Sequence, residues 1–283
     1  TGDNYLTYYM DTGVHSNAML AAWRGQVRNV PEKYVLYEAG SGIGHQTPGG
    51  LVSVDIVRYQ HVINTLLQED VLQGLTKNHR PVILEIGSGY GGLAHHLSNA
   101  VGPSTVVLVD LPETLLFSAT YLALNNPEKR VYVYDPAEPE ALSDAGRMAE
   151  FDFVCLPNHR LESLRQYKFD LVVNMASLQE MRSAQVVEYL DFISETCRGI
   201  FYSWNRESAN PKNRELQNLT SLIEARFRVE DLGTRVLPTN VSIKGRIKGM
   251  VRSLAIATGL MNRPPPDPAG RKRELLCYPL STS

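Results

Sequence analysis

The chain has 283 residues with 43% hydrophobic and 20% charged side chains, a globular composition long enough to bury a full core as one large domain or as a domain with a lobe. With 28 Lys and Arg against 30 Asp and Glu, the formal net charge is −2. That balance excludes a global attraction to nucleic acid or to an acidic membrane, so any phosphate contact has to be local. No run approaches the roughly 18 apolar residues of a membrane span, and no stable membrane insertion is expected. The first ten residues carry no basic region followed by an apolar one, so no signal peptide is read, although a start at Thr1 leaves a trimmed leader open. Cys155, Cys197 and Cys277 are widely spaced, without a CxxC or metal-binding pattern, and read as reduced thiols of a cytoplasmic protein with no metal site.

In chain order, residues 1–78 carry helical patterns at 17–28 and 55–72 around a Gly-rich loop at 38–50, the pattern of a helical lid or substrate-binding segment. Residues 79–283 then alternate short β-branched runs with helical ones, which predicts an α/β fold: a Rossmann-like, seven-stranded, mostly parallel sheet with helices on both faces. Strands are expected at 82–87, 105–110, 131–134, 169–174, 200–204, 227–232 and 274–279, with 151–156 as an extra edge strand. Helices are expected at 91–100, 112–126, 183–197 and about 213–226, the second opened by Pro112 and closed by Asn125-Asn126-Pro127. Residues 240–270, with Lys244, Arg246, Lys248 and Arg252 among apolar residues and then a proline run, read as an insertion between the last two strands. No internal repeat is present.

The sharpest local signal is Glu85-Ile86-Gly87-Ser88-Gly89-Tyr90-Gly91-Gly92, directly after a strand and opening a helix. Glycine is required where the chain turns sharply and a ligand approaches the backbone, and the helix start offers free N–H groups. Asp110 ends the next strand, 23 residues beyond Gly87, where a carboxylate can accept both hydroxyls of a ribose. Together these features specify a nucleoside-bearing cofactor. The Gly87, Gly89 and Gly92 spacing leaves NAD open, but Glu85 opposes it, because an acidic side chain aimed into the loop repels a pyrophosphate and suits an ammonium.

At this point the chain resembles the class I S-adenosylmethionine-dependent methyltransferases over roughly residues 80–235 and the last strand. Asn174-Met175-Ala176-Ser177-Leu178-Gln179-Glu180-Met181, Phe201-Tyr202-Ser203-Trp204-Asn205-Arg206 and Ser53-Val54-Asp55-Ile56-Val57-Arg58 resemble segments of a sugar O-methyltransferase family of polysaccharide and glycosylated natural-product pathways. The resemblance implies that Glu85, Gly87 and Gly89 line the methionine end of S-adenosylmethionine, that Asp110 binds the ribose and that Leu111 flanks the adenine. It further implies that Asn174 and Met175 lie beside the reacting methyl and that Arg58 reaches the cofactor carboxylate. His159, with Glu180 in support, is the expected general base for a sugar hydroxyl, and His45 from the lid is its rival.

Plainer readings stand beside these. His95 and His96 make no metal spacing and suit packing or surface positions, Trp204 and Tyr202 suit the core, and Glu180 equally suits a helix start. An NAD-dependent sugar oxidoreductase lacks a Tyr-x-x-x-Lys pair after the fourth strand, whereas a methyltransferase of a non-sugar metabolite and a non-catalytic methyltransferase-like subunit remain open. The partner expected is a small-molecule or carrier-linked sugar, not nucleic acid, and a homo-oligomer is compatible with the composition.

Overall fold

The protein is described by a computed structural model covering residues 14–39, 44–138, 142, 145–206, 218–235 and 272–280. Helix α1 (Val14–Val27) leads to a hairpin of β1 (His45–Thr47) and β2 (Gly50–Val52), then to α2 (Val54–Gln68) and α3 (Val71–Thr76). The nucleotide-fold alternation follows as β3 (Val82–Ile86), α4 (Gly92–Val101), β4 (Thr105–Asp110), α5 (Pro112–Asn125) and β5 (Val131–Val133). Next come α6 (Ala145–Met148), β6 (Phe153–Pro157), β7 (Phe169–Met175), α7 (Ser183–Thr196) and β8 (Cys197–Arg206). Helix α8 (Leu219–Glu224), β9 (Phe227–Arg235) and β10 (Lys272–Pro279) complete the described chain. The expected insertion at 240–270, residues 213–217 of the helix expected at 213–226 and residues 40–43 of the Gly-rich loop lie outside the described residues.

Eight strands form one sheet in the order β5-β6-β4-β3-β7-β8-β10-β9, parallel except for β10, which runs antiparallel to both β8 and β9. The α/β, mostly parallel expectation holds, with one correction. The run near 151–156 is not an edge strand: β6 lies between β5 and β4, every one of its residues is buried, and it raises the strand number from seven to eight. Its uninterrupted apolar pattern is that of a strand covered on both faces, which a short run next to a charged loop conceals.

Alternation along the strands divides the core. Ile83, Val106, Leu108, Leu171, Val173, Tyr202 and Trp204 face one helical layer, and Leu84, Val107, Val109, Val172 and Phe201 the other. The first layer includes α2, whose Ile56, Val62, Ile63 and Leu66 are buried in the same cluster as the strand residues. Helix α2 therefore contributes to the core that covers this face of the sheet. Ser53 caps it by accepting from the Ile56 N–H at 3.1 Å. Two side chains of α2 clip it to the sheet: on the fully buried Glu274 of β10, Oε1 accepts from Thr65 Oγ1 at 2.6 Å and His61 Nε2 lies 3.0 Å from Oε2, while Tyr202 of β8 also donates to Oε1 at 2.8 Å.

Candidate cofactor and acceptor site

The chain crosses from β3 to β4 on one side and later to β7 on the other, so the sheet changes winding direction between β3 and β7, the place where open α/β sheets bind ligands at the carboxyl ends of their strands. The glycine loop occupies that position. Gly87, Gly89 and Gly91 have φ of +75°, +55° and +87°, a left-handed region that side chains with a Cβ adopt at a cost. They differ in what surrounds them. A Cβ on Gly87 would lie 2.1 Å from Ser177 Oγ, so the loop after β7 rests directly on this glycine, while a Cβ on Gly89 would meet nothing within 4 Å. The loop is thus backed by protein at Gly87 and open at Gly89.

Glu85 is buried between the loop and α4, with Oε2 lacking a hydrogen-bond partner among the described residues. Burial raises its carboxyl well above the ordinary carboxylate range; the nearby Asp110 charge adds to this, and the Ala94 N–H partly offsets it. A buried acceptor without a donor is costly unless something else satisfies it. An ammonium group at this point supplies both the donor and the opposite charge. On the neighbouring strand, Asp110 Oδ2 accepts from the Gly89 N–H at 2.8 Å and Oδ1 from the Leu111 N–H at 2.7 Å. Each oxygen keeps a second acceptor position, enough for a vicinal diol. Leu111 follows with 48% of its surface exposed, an apolar flank beside that diol site. Glu85, Gly87, Gly89, Asp110 and Leu111 are therefore brought together, and an amino-acid-bearing nucleoside fits the orphaned carboxylate, the open glycine and the spare acceptors of Asp110.

Asn174 stands at the carboxyl end of β7 with its side chain bonded within the protein. It is fully buried, its amide donates to the Ile86 carbonyl at 2.9 Å, and its Oδ1 accepts from Leu178 N–H at 3.2 Å and Asn205 Nδ2 at 2.8 Å. Its side chain ties β7 to β3 and shapes the following turn, leaving Met175 as the half-buried residue at the strand's end. The turn passes through Ala176 at φ +62° and brings Ser177 onto Gly87. Gln179 then accepts from the Arg206 N–H at 2.8 Å and donates to Glu180 at 3.0 Å, which leaves Glu180 exposed beyond β7.

The expected pairing of His159 with Glu180 is not what the sheet order produces. His159 opens the turn after β6, exposed, with its ring 6.1 Å from that of Tyr134. Three strand steps separate the end of β6 from the end of β7, roughly 14 Å at about 4.8 Å per step. His159 lies on the Asp110 side, since Pro157 pairs with Asp110, and Glu180 lies on the other. His45 is half-buried on β1, opposite Val52 and close to the start of α2. Arg58, on the first turns of α2, bonds Asp55 at 2.9 Å. His95 and His96 are packed rather than ligating: His95 bonds Asn126 at 2.9 Å, and burial, aided by the charge of His95, lowers His96 to about 3. Among the described residues no cluster of three or more His, Cys, Asp or Glu converges to hold a metal ion, and no helix is long and apolar enough to cross a membrane.

Sequence reasoning gave no role to Ser177, Gln179, Asn205, Arg206 or Lys272. For Ser177 and Gln179 the signal was their position in the segment after the fourth strand. For Arg206 and Lys272 it emerges only from the antiparallel register that sets them opposite each other.

No protein-family model matches the chain, and no curated protein sequence matches it. Solved structures do resemble it. Magnesium protoporphyrin IX methyltransferase from Synechocystis PCC 6803, solved with bound S-adenosylhomocysteine, is 11% identical, with 99% of this chain and 100% of that one covered at a TM-score of 0.48. An O-methyltransferase family protein from Burkholderia thailandensis is 10% identical over 81% of this chain and 61% of that one, with a TM-score of 0.43. The bifunctional kinase-methyltransferase WbdD is 12% identical over 90% of this chain and 46% of that one, with a TM-score of 0.48. Identities and scores of this size leave the reading of the site to the chain's own residues.

Proposed function

We propose that the protein is an S-adenosylmethionine-dependent O-methyltransferase acting on a sugar hydroxyl of a glycosylated natural product or polysaccharide precursor. The observation that carries the cofactor part is the buried, donor-less Glu85 Oε2 beneath a glycine loop that is open at Gly89 and bonded to Asp110. The sugar part rests on the likeness of the segments at 53–58, 174–181 and 201–206 to sugar O-methyltransferases. In this reading Glu85, Gly87 and Gly89 hold the amino-acid end, Asp110 the ribose and Leu111 the adenine face.

Bound, S-adenosylmethionine supplies a methyl on a sulfonium, open to in-line displacement by an acceptor oxygen. The chain's task is then alignment and proton removal. The Ser177 contact on Gly87 and the Asn174 clip to β3 hold the floor of the site rigid, and a fixed reacting geometry supplies much of the rate. Glu180, exposed in the turn that follows β7, takes the proton from the acceptor hydroxyl, a role worth about 100 to 10,000-fold. His159 acts on the adenine side, not at the methyl, and His45 is the rival base from the hairpin. The β1–β2 hairpin, beside the start of α2, shields the site from water.

Titration calorimetry with S-adenosylhomocysteine, S-adenosylmethionine and NAD tests the cofactor reading: binding of NAD alone overturns it. Methyl transfer from labelled S-adenosylmethionine to sugars and to non-sugar metabolites then tests the acceptor.

A further inference from the structure

The ends of β8 and β10 meet at the ligand edge of the sheet, where Lys272 pairs with Arg206, and the register of Met175 with Trp204 sets that pair two residues beyond the end of β7. Strand spacing and rise place the Lys272 backbone about 12 Å from that of Met175. The Lys272 ammonium lies 4.6 Å from the centre of the buried Trp204 ring, and Arg206 Nε is buried without a hydrogen-bond partner among the described residues. Arg58 of α2 stands close enough for its charge, with that of Arg206, to act on Lys272, and among the described residues the acids that act on Lys272 are Asp55 and Glu180. Asp55 is bonded to Arg58 at 2.9 Å, and Glu180 accepts from Gln179 at 3.0 Å. Among the described residues, three cations thus converge on two carboxylates that already have partners.

From this convergence we propose that Lys272 and Arg206, with Arg58 beside them, bind an anionic group of the methyl acceptor, a carboxylate or a phosphate. The proposal rests on the methyltransferase reading, because it places the anion on the acceptor side of Met175. Holding half-buried cations together opposes folding, and their excess is expected where a ligand supplies the missing charge. Desolvation first, then the charges of Arg58 and Arg206, push Lys272 down to about 7. A guanidinium with a free Nε offers a forked contact to either oxyanion. The cofactor's own carboxylate is the competing ligand for these groups, and the test separates the two.

The full chain is titrated with inorganic phosphate and with malonate against chloride at matched ionic strength, with and without saturating S-adenosylhomocysteine, by calorimetry and thermal shift. Both arms are repeated for Lys272→Gln and Arg206→Gln, with folding checked by circular dichroism. The expected result is that one or both anions bind the wild-type protein in the presence of S-adenosylhomocysteine and bind each variant about tenfold or more weakly, the scale of a charged hydrogen bond. S-adenosylhomocysteine affinity should stay within about twofold. A stronger response to phosphate identifies a phosphorylated acceptor, and one to malonate a carboxylated acceptor. Equal anion affinity in wild type and both folded variants overturns the proposal. So does competition between anion and S-adenosylhomocysteine, with loss of S-adenosylhomocysteine affinity in the variants, because the cations then hold the cofactor. If the wild type binds no S-adenosylhomocysteine, the methyltransferase reading fails, while the titration without it still reports whether the cations form an anion site. If either variant fails to fold, Lys272→Arg, which keeps the charge, must retain anion binding.

Discussion

Replacing Glu274 by Ala removes the acceptor that joins α2 to the sheet. The carboxylate is fully buried and bonded to Thr65 and Tyr202, with His61 Nε2 3.0 Å away, so its loss leaves a hydroxyl, a phenol and an imidazole without their partner in a dry core. Breaking a buried network by removing one member costs about 3 to 5 kcal/mol. A mid-range cost of about 4 kcal/mol corresponds to roughly 12 °C in Tm, at about 3 °C per kcal/mol. Glu274→Gln keeps an acceptor for Thr65 and Tyr202 and should cost only about 1 to 2 kcal/mol. Burial alone would raise the Glu274 carboxyl, but His61, Thr65 and Tyr202 outweigh it and hold it below the usual range. Its contribution is therefore complete above the unfolded carboxylate value of about 4.3 and is lost as pH falls through the lower folded value. Urea denaturation followed by tryptophan emission is a suitable assay, because the Trp204 ring is 4.8 Å from that of His61. An Ala variant within about 1 kcal/mol of wild type, or a Gln variant as unstable as the Ala one, refutes the reasoning: the hydrogen bonds then merely offset desolvation.

Asp110→Ala should weaken S-adenosylhomocysteine binding by about 1.5 to 3 kcal/mol by calorimetry, and Asp110→Asn nearly as much, since its amide presents a donor to the Gly89 or Leu111 N–H. Unchanged affinity in Asp110→Ala sinks the ribose assignment. Gly89→Ala should lower stability by only about 1 to 2 kcal/mol for the left-handed backbone, because its Cβ meets no protein atom, yet reduce cofactor affinity by more than that; equal losses in both would remove the glycine from the cofactor contact. Glu180→Gln should reduce turnover by about 100-fold or more with S-adenosylhomocysteine affinity unchanged, while His159→Ala should spare turnover at saturating cofactor. Full activity in Glu180→Gln with loss in His45→Ala assigns the base to the hairpin instead. Because the folded His96 is lowered to about 3 from an unfolded value near 6.5, the unfolded chain binds the extra proton between those values, so stability is complete above about 6.5 and declines as pH falls; His96→Phe should flatten that decline in acid denaturation curves.

The sequence alone determined what is local. The glycine loop between β3 and α4, the acid at the end of β4 and the alternation of strands with helices are set by residue types over a few turns of chain, and they specify a nucleotide fold with Glu85 and Asp110 at one edge. The apolar run at 153–157 was visible too, but its position was not, because strand order depends on which strand it pairs with and not on its own composition. The same holds for His159 and Glu180. Both follow strands at the ligand edge, and only the order β6-β4-β3-β7 separates them. That the Asn174 amide donates to the Ile86 carbonyl and accepts from the Leu178 N–H is likewise decided by tertiary packing and not by its place near the end of a strand. Lys272 and Arg206 are 66 residues apart in the chain and become neighbours through an antiparallel register, while Arg58 joins them because α2 is clipped to Glu274. Motif residues lie within one strand–turn–helix unit and are legible because their spacing is covalent; convergent charges from α2, β8 and β10 are decided by long-range pairing and burial, which no local pattern encodes.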